Sequence, residues 1–196
     1  QFARLLFRAP RVYPIGELRV LKFTITTGGD HDGDHERLRQ LLRANPRLED
    51  LTLRTAPSLL PIRDISDAVA LRSLTVDYVP RVRNCNPRRI AEVLSSIAAT
   101  SECTLEQFEL VGVAHVQGVP VESVPDVWPR IDAALCQFPA LKRVGMAVPG
   151  RMPAEDEYDM QAKKQEEAII RVSIGNLLPS TRARSILDVT FEDLSL

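Results

Sequence analysis

The densest group of side chains able to do chemistry is Asp30-His-Asp-Gly-Asp-His-Glu36. Ahead of Glu36 it offers five carboxylate or imidazole donors, with His31 and His35 four residues apart. An EF-hand needs glycine at its sixth loop position and a bidentate glutamate at its twelfth, and neither stands here. A calcium or transition-metal centre would need further donors from elsewhere. The stretch reads instead as a solvated loop whose Asp32, Asp34 and Glu36 favour the N-terminus of a following helix. The third histidine, His115, reads as an exposed loop residue.

A second group, Arg81-Val-Arg-Asn-Cys-Asn-Pro-Arg-Arg89, sets four arginines around Cys85. Such a cluster suits an anion or a phosphoprotein and would acidify the thiol. No base for nucleophilic catalysis sits beside it, so it reads as a solvated loop between strand and helix. Cys103 and Cys136 read as small apolar fillers. Three cysteines with no CxxC spacing suit a reducing cytosolic or nuclear compartment. Trp128 shares a helical register with Ile131 and Leu135 and reads as core. GxSxG, HExxH, the P-loop and GxGxxG are all missing from the sequence, and nothing follows Gly28-Gly29 to hold a phosphate. The expectation is a non-catalytic chain with no cofactor.

The totals agree with that plainness. The 196 residues carry 25 basic and 26 acidic side chains, a net charge of -1, with 44% hydrophobic content. Near-neutrality argues against nucleic acid, whose phosphates demand a local cationic excess. No run reaches the ~18 apolar residues of a membrane span. Gln1-Phe-Ala-Arg-Leu-Leu-Phe-Arg8 has arginine inside its apolar stretch and makes a poor signal peptide. A chain starting at Gln reads as a piece of something longer.

The elements that must position any site come from a repeated LxxLxL spacing. It occurs as Leu18-Arg-Val-Leu21-Lys-Phe23, Leu48-Glu-Asp-Leu51-Thr-Leu53 and Leu71-Arg-Ser-Leu74-Thr-Val76. It recurs as Leu105-Glu-Gln-Phe108-Glu-Leu110 and Leu141-Lys-Arg-Val144-Gly-Met146, with a degenerate copy in Ala183-Arg-Ser-Ile186-Leu-Asp-Val189-Thr-Phe191. The fourth and sixth positions share one face of a strand, and the first packs below them. Each unit is too poor in apolar groups for its own core and must stack on a neighbour. The fold expectation is α/β: one irregular leucine-rich-repeat solenoid over 1–196, with parallel strands on the concave face and helices on the convex face. Its strands fall near 18–24, 48–54, 71–77, 105–111, 141–147 and 184–191. Their starts lie 30, 23, 34 and 36 residues apart through the fifth copy, longer and less even than regular repeats. The asparagine that often follows LxxLxL is missing, so no asparagine ladder is expected.

Between the strands, helices are expected. One runs from about His35 to Ala44 with Leu38, Leu41 and Leu42 inward, ended by Asn45-Pro46. Ile62, Ile65 and Val69 point inward from two helical turns within 61–69. Asn86 caps a third helix, with Pro87 first and Ile90, Val93, Leu94, Ile97 and Ala98 on one face. A fourth begins near Trp128-Pro129, with Trp128, Ile131, Leu135 and Phe138 as its stripe. The last spans Pro153 to about Asn176, with Ala162, Ile169, Val172 and Leu177 as its buried side. Residues 1–17 read as the tail of an earlier unit and a turn.

With Leu51 and Leu53 inward, Asp50, Thr52 and Arg54 point outward. By the same register so do Lys22, Thr24, Ser73, Thr75, Asp77, Gln107, Glu109 and Arg143. These eleven side chains, mostly small or polar and mixed in sign, are the expected partner site.

Leu41-Leu-Arg-Ala-Asn-Pro-Arg-Leu-Glu-Asp-Leu-Thr-Leu53 resembles the irregular leucine-rich region of fungal F-box proteins. So do Trp128-Pro-Arg-Ile-Asp-Ala-Ala-Leu135 with Phe138-Pro-Ala-Leu-Lys-Arg-Val144, and Leu178-Pro-Ser-Thr-Arg-Ala-Arg-Ser-Ile-Leu-Asp-Val189. The likeness covers roughly residues 15 to 191. It implies a substrate-receptor region whose repeats hold a protein, while a separate F-box joins a Skp–cullin ubiquitin ligase. No F-box helices are visible in this sequence, so a Skp-type adaptor would be met only through an F-box outside it. The alternative is a leucine-rich GTPase-activating or sensor module binding another protein, which uneven spacing weighs against. A third, a small metalloprotein, would rest on the Asp30–His35 stretch. The expected partner is a protein, in cytoplasm or nucleus, with neither nucleic acid nor membrane involved.

Overall fold

A computed structural model describes residues 3–4, 16–25, 31–55, 65, 68, 70–78, 88–99, 104–112, 126–149 and 157–192. The expected loops around Cys85, Cys103, His115 and Gly28-Gly29, the cap at Asn86-Pro87, and Ile62 and Val69 lie outside them. The chain is α/β, and the described residues form one seven-stranded sheet whose strands are all parallel and stand in sequence order. They are β1 (Ala3–Arg4), β2 (Val20–Thr24), β3 (Asp50–Thr55), β4 (Ser73–Tyr78), β5 (Gln107–Val111), β6 (Arg143–Pro149) and β7 (Leu187–Glu192). Five helices are described: α1 (His31–Ala44), α2 (Arg88–Ala98), α3 (Val127–Leu135), α4 (Glu157–Leu177) and α5 (Pro179–Ala183).

Strands β2 to β6 follow from their leucine spacing. Leu18, Leu48, Leu71, Leu105 and Leu141 are buried just before their strands, and the fourth and sixth positions of each copy lie inward in the core. A fully buried aliphatic or aromatic side chain of this kind contributes about 1.5–3 kcal/mol. The backbone repeats with the side chains. Leu48 N–H donates to the Asn45 carbonyl at 3.0 Å, Leu71 to Ala68 at 3.2 Å and Leu141 to Phe138 at 3.3 Å. One carbonyl at the second position of each copy then accepts two N–H groups from the next. Arg19 takes Glu49 and Asp50, Glu49 takes Arg72 and Ser73, Arg72 takes Glu106 and Gln107, and Glu106 takes Lys142 and Arg143.

The helix side of the sheet holds one continuous core. Leu38, Leu41 and Leu42 of α1, Ile90, Val93, Leu94 and Ile97 of α2, and Ile131 and Leu135 of α3 bury as their spacing requires. Phe138 is buried, and Trp128 packs half-buried against the same cluster. Ile65 and Ala68 are buried between β3 and β4, although Ala68 was not among the expected inward residues.

Four expectations need correcting. First, α1 starts at His31, so the acidic stretch is helix rather than loop. Its Asp34 and Glu36 are taken up by Arg37 at 3.4 Å and Arg39 at 2.8 Å, as neighbours one turn apart are. Second, the buried side of α4 is Ile170, Ile174 and Leu177, not Ala162, Ile169 and Val172. Ile174 is 2% exposed, whereas Ile169 is 59% and Val172 56% exposed. The helix carries two apolar stripes about a third of a turn apart, and only one meets the core. Third, β7 begins at 187. Ser185 has φ 58, so the chain turns sharply after α5, and Leu187, Val189 and Phe191 become the inward set. Fourth, Cys136 is exposed at the end of α3 rather than filling core.

Two buried polar side chains tie the layers together. Asn45 Oδ1 accepts from Gly16 N–H at 3.1 Å and Leu18 N–H at 3.2 Å, while its Nδ2 donates to the Leu41 carbonyl at 2.8 Å. One amide thus satisfies the end of α1 and the turn into β2. Asp132, on α3, accepts from Ser180 N–H at 2.9 Å, Thr181 N–H at 2.9 Å and Thr181 Oγ1 at 2.6 Å. Burial pushes its carboxyl toward the neutral form, but these hydrogen bonds outweigh burial and hold it below the usual range.

Candidate partner-binding face

The pleat of a strand sends alternate side chains to opposite sides, so burying the leucines commits their neighbours to the open face. The parallel register aligns those neighbours into three rows across the sheet. The first is Val20, Asp50, Ser73, Gln107 and Arg143. The second is Lys22, Thr52, Thr75, Glu109, Gly145 and Asp188. The third is Thr24, Arg54, Asp77, Val111, Ala147 and Thr190. The structure therefore brings together on one face all eleven residues singled out from the sequence. It adds Val20, Val111, Asp188 and Thr190, which the same alternation would have supplied, and Gly145 and Ala147, which stand on that side but are buried.

Lys22, Thr24, Arg54, Gln107 and Arg143 are exposed, and Asp50, Thr52, Ser73, Thr75, Asp77 and Glu109 are half-buried. Two ion pairs cross between strands: Arg54 Nε to Asp77 Oδ2 at 3.6 Å and Arg143 Nη2 to Asp188 Oδ2 at 2.7 Å. Burial raises the Asp77 carboxyl, with Arg54 opposing it. Thr75 Oγ1 donates to Glu109 Oε2 at 3.5 Å. Glu109 leans over Gly145, where a Cβ would stand 3.2 Å from Glu109 Cγ. Glycine at 145 leaves that carboxylate the room it occupies.

One row was missed. The second residue of each LxxLxL copy is Arg19, Glu49, Arg72, Glu106 and Lys142, alternating in sign along the sheet edge. Arg19 pairs with Glu49, and Glu106 takes Lys142 at 2.7 Å and Arg72 at 3.8 Å. The hydrogen bond and the charge of Lys142, then the charge of Arg72, lower the Glu106 carboxyl. Its signal lay in the motif itself, as a charge of alternating sign at a fixed position. Like charges stacked one strand apart would repel, so alternation favours this register.

On the helix side, an open groove of about 570 Å³ lies between α2 and α3, lined by small and polar side chains that include Ser95, Ser96, Arg130 and Gln137. Among the described residues no group of three or more His, Cys, Asp or Glu could hold a metal ion. No described helix is long and apolar enough to cross a membrane.

No family model and no curated protein matches the chain. Among solved structures, a tropomodulin C-terminal domain from Caenorhabditis elegans is similar over 86% of this chain and 87% of its own, at 16% identity and a TM-score of 0.41.

Proposed function

We propose that this chain is a non-catalytic protein-binding scaffold, an irregular leucine-rich solenoid whose strands form the concave side and whose helices form the convex side. Its partner lies across the open strand face. The observation that carries this reading is the alignment of small, polar and charged side chains in three rows over consecutive parallel strands. A wide, stiff, solvated face of this kind offers many contact points and no enclosed chemistry. On the resemblance at Leu41–Leu53, Trp128–Val144 and Leu178–Val189, the scaffold is the substrate-binding region of an F-box component of a Skp–cullin ubiquitin ligase. It would work in cytoplasm or nucleus and meet a Skp-type adaptor only through an F-box outside this chain.

Two experiments test the two levels. Extending the coding sequence upstream of Gln1 to its start codon is expected to reveal a helical segment of F-box size. Continuous repeats back to the initiating Met would remove the ubiquitin-ligase reading and leave the scaffold. Thr52→Arg, placed in the middle of the open face, is expected to abolish partner binding without changing the melting temperature. Full binding by that variant would refute the face as the site.

A further inference from the structure

Resting on the reading that the open face holds a protein, we infer that it takes an extended segment bearing an acidic side chain and a basic side chain four residues apart. Most ionic groups on the face are already neutralised across strands, as Arg54 with Asp77 and Arg143 with Asp188. In the central row Lys22 and Glu109 have no described partner of opposite charge; Glu109 has only the Thr75 hydroxyl. They lie three strands apart in the row Lys22, Thr52, Thr75, Glu109, which the register continues to Arg4 beyond Lys22 and to Gly145 and Asp188 beyond Glu109. Three strand spacings separate them, about 14 Å.

That distance selects the conformation of the ligand. In an extended chain residues i and i+4 lie on the same side and about 13–14 Å apart. In a helix, about nine residues cover that length, and residues nine apart face opposite ways. The extended segment therefore presents its acid to Lys22 and its base to Glu109. A small polar side chain at i+2 meets the half-buried hydroxyls of Thr52 and Thr75. Gly145 gives the Glu109 carboxylate room to lie over β6, within reach of a long basic side chain at i+4. Asp50, the remaining carboxylate without a described partner, lies one row nearer the alternating edge. Arg19 and Arg72 stand at that edge on the strands either side of it.

The test uses the whole chain and fluorescein-labelled nine-residue peptides, Gly-Ser-Glu-Ser-Thr-Ser-Lys-Ser-Gly and its reverse, read by polarisation at low salt. Comparison peptides carry Lys at both charged positions, Glu at both, or the Glu and Lys two residues apart. One of the two opposite-charge, four-apart peptides is expected to bind about five- to tenfold tighter than the comparisons, since an exposed pair supplies up to about fivefold. Lys22→Glu is expected to shift the preference to the double-Lys peptide, and Glu109→Lys to the double-Glu peptide. Binding that Thr52→Arg removes but that ignores both charge reversals overturns the inference and leaves the face as the site. Binding by none of the peptides overturns the inference as well, and the partner's contact with Thr75, tested separately by cross-linking, then decides whether the face itself is the site.

Discussion

Removing the carboxylate of Asp132 should cost far more than an acid on a helix surface would. The side chain is 3% exposed and accepts three hydrogen bonds, two from the first backbone N–H groups of α5 and one from the Thr181 hydroxyl. Those N–H groups have no intrahelical acceptor, and Thr181 is itself buried, so Asp132→Ala strands donors away from water. A hydrogen bond to a charged group contributes about 1.5–3 kcal/mol, and three sharing one acceptor contribute less than their sum. We expect a loss of about 3 kcal/mol, or about 6–12 °C in melting temperature for a chain of this size. Urea denaturation measures the total, and amide hydrogen exchange at Ser180 and Thr181 reports the local loss. The pH dependence supplies an independent check. The folded carboxyl lies below its unfolded value of 3.8, so the unfolded chain binds more protons as pH falls toward that value. Stability from Asp132 is therefore complete above about pH 4–5 and is lost as pH drops through the folded pKa. Asp132→Asn should flatten that acid limb. A loss below about 1 kcal/mol, with Ser180 and Thr181 still protected, would refute the reasoning.

Other substitutions follow from the same packing. Asn45→Ala removes three hydrogen bonds at a buried site and should cost about 2–3 kcal/mol by chemical denaturation, with the exchange of Gly16 and Leu18 amides accelerated. Ile174→Ala should cost about 2–4 kcal/mol, whereas Ile169→Ala and Val172→Ala on the exposed stripe of α4 should each stay within about 0.5 kcal/mol. Gly145→Ala should be near neutral in melting experiments, because the strand's gain of about 0.5–1 kcal/mol is offset by crowding against Glu109. In a Glu109→Ala background the same change should stabilise by that full amount.

The strand face was legible because its rule is rigid. A period of two leaves one choice, and burying Leu51, Leu53, Leu74 and Val76 settles it for Asp50, Thr52, Arg54, Ser73, Thr75 and Asp77. At β7 the spacing is degenerate: Val189 and Phe191 lie inward as that copy marks them, but Ile186 and Leu187 are adjacent aliphatics. Only the turn at Ser185 decides which of them enters the sheet in phase. In α4 both Ala162/Ile169/Val172 and Ile170/Ile174/Leu177 satisfy helical spacing, so periodicity cannot choose between them. The choice is made by contact with β7, α3 and α5. Asp132 was out of reach for a different reason: its partners are 48 and 49 residues away, and nothing local marks an acid on a helix as another helix's cap. The alternating charges from Arg19 to Lys142 are readable at a fixed position of the motif, whereas their pairing depends on the register between strands.

Among the described strands β7 is the last in the sheet order. Ile186 gives its carbonyl to Val144 on β6, so by alternation the Val189 carbonyl points away from β6. Arg171 of α4 donates Nη1 to that carbonyl and lies 5.0 Å from the Phe191 ring centroid. A guanidinium on the free side of the strand blunts it against pairing with another chain.

The measurement that bears most directly on the central claim is site-specific photo-cross-linking from the open face. A photoreactive side chain at Thr75, in the middle of the central row, is expected to form a covalent adduct with the protein partner. The same group at Gln165, on the exposed side of α4, is expected to form none. Adducts from Gln165 with none from Thr75 would place the partner on the helices and contradict the account.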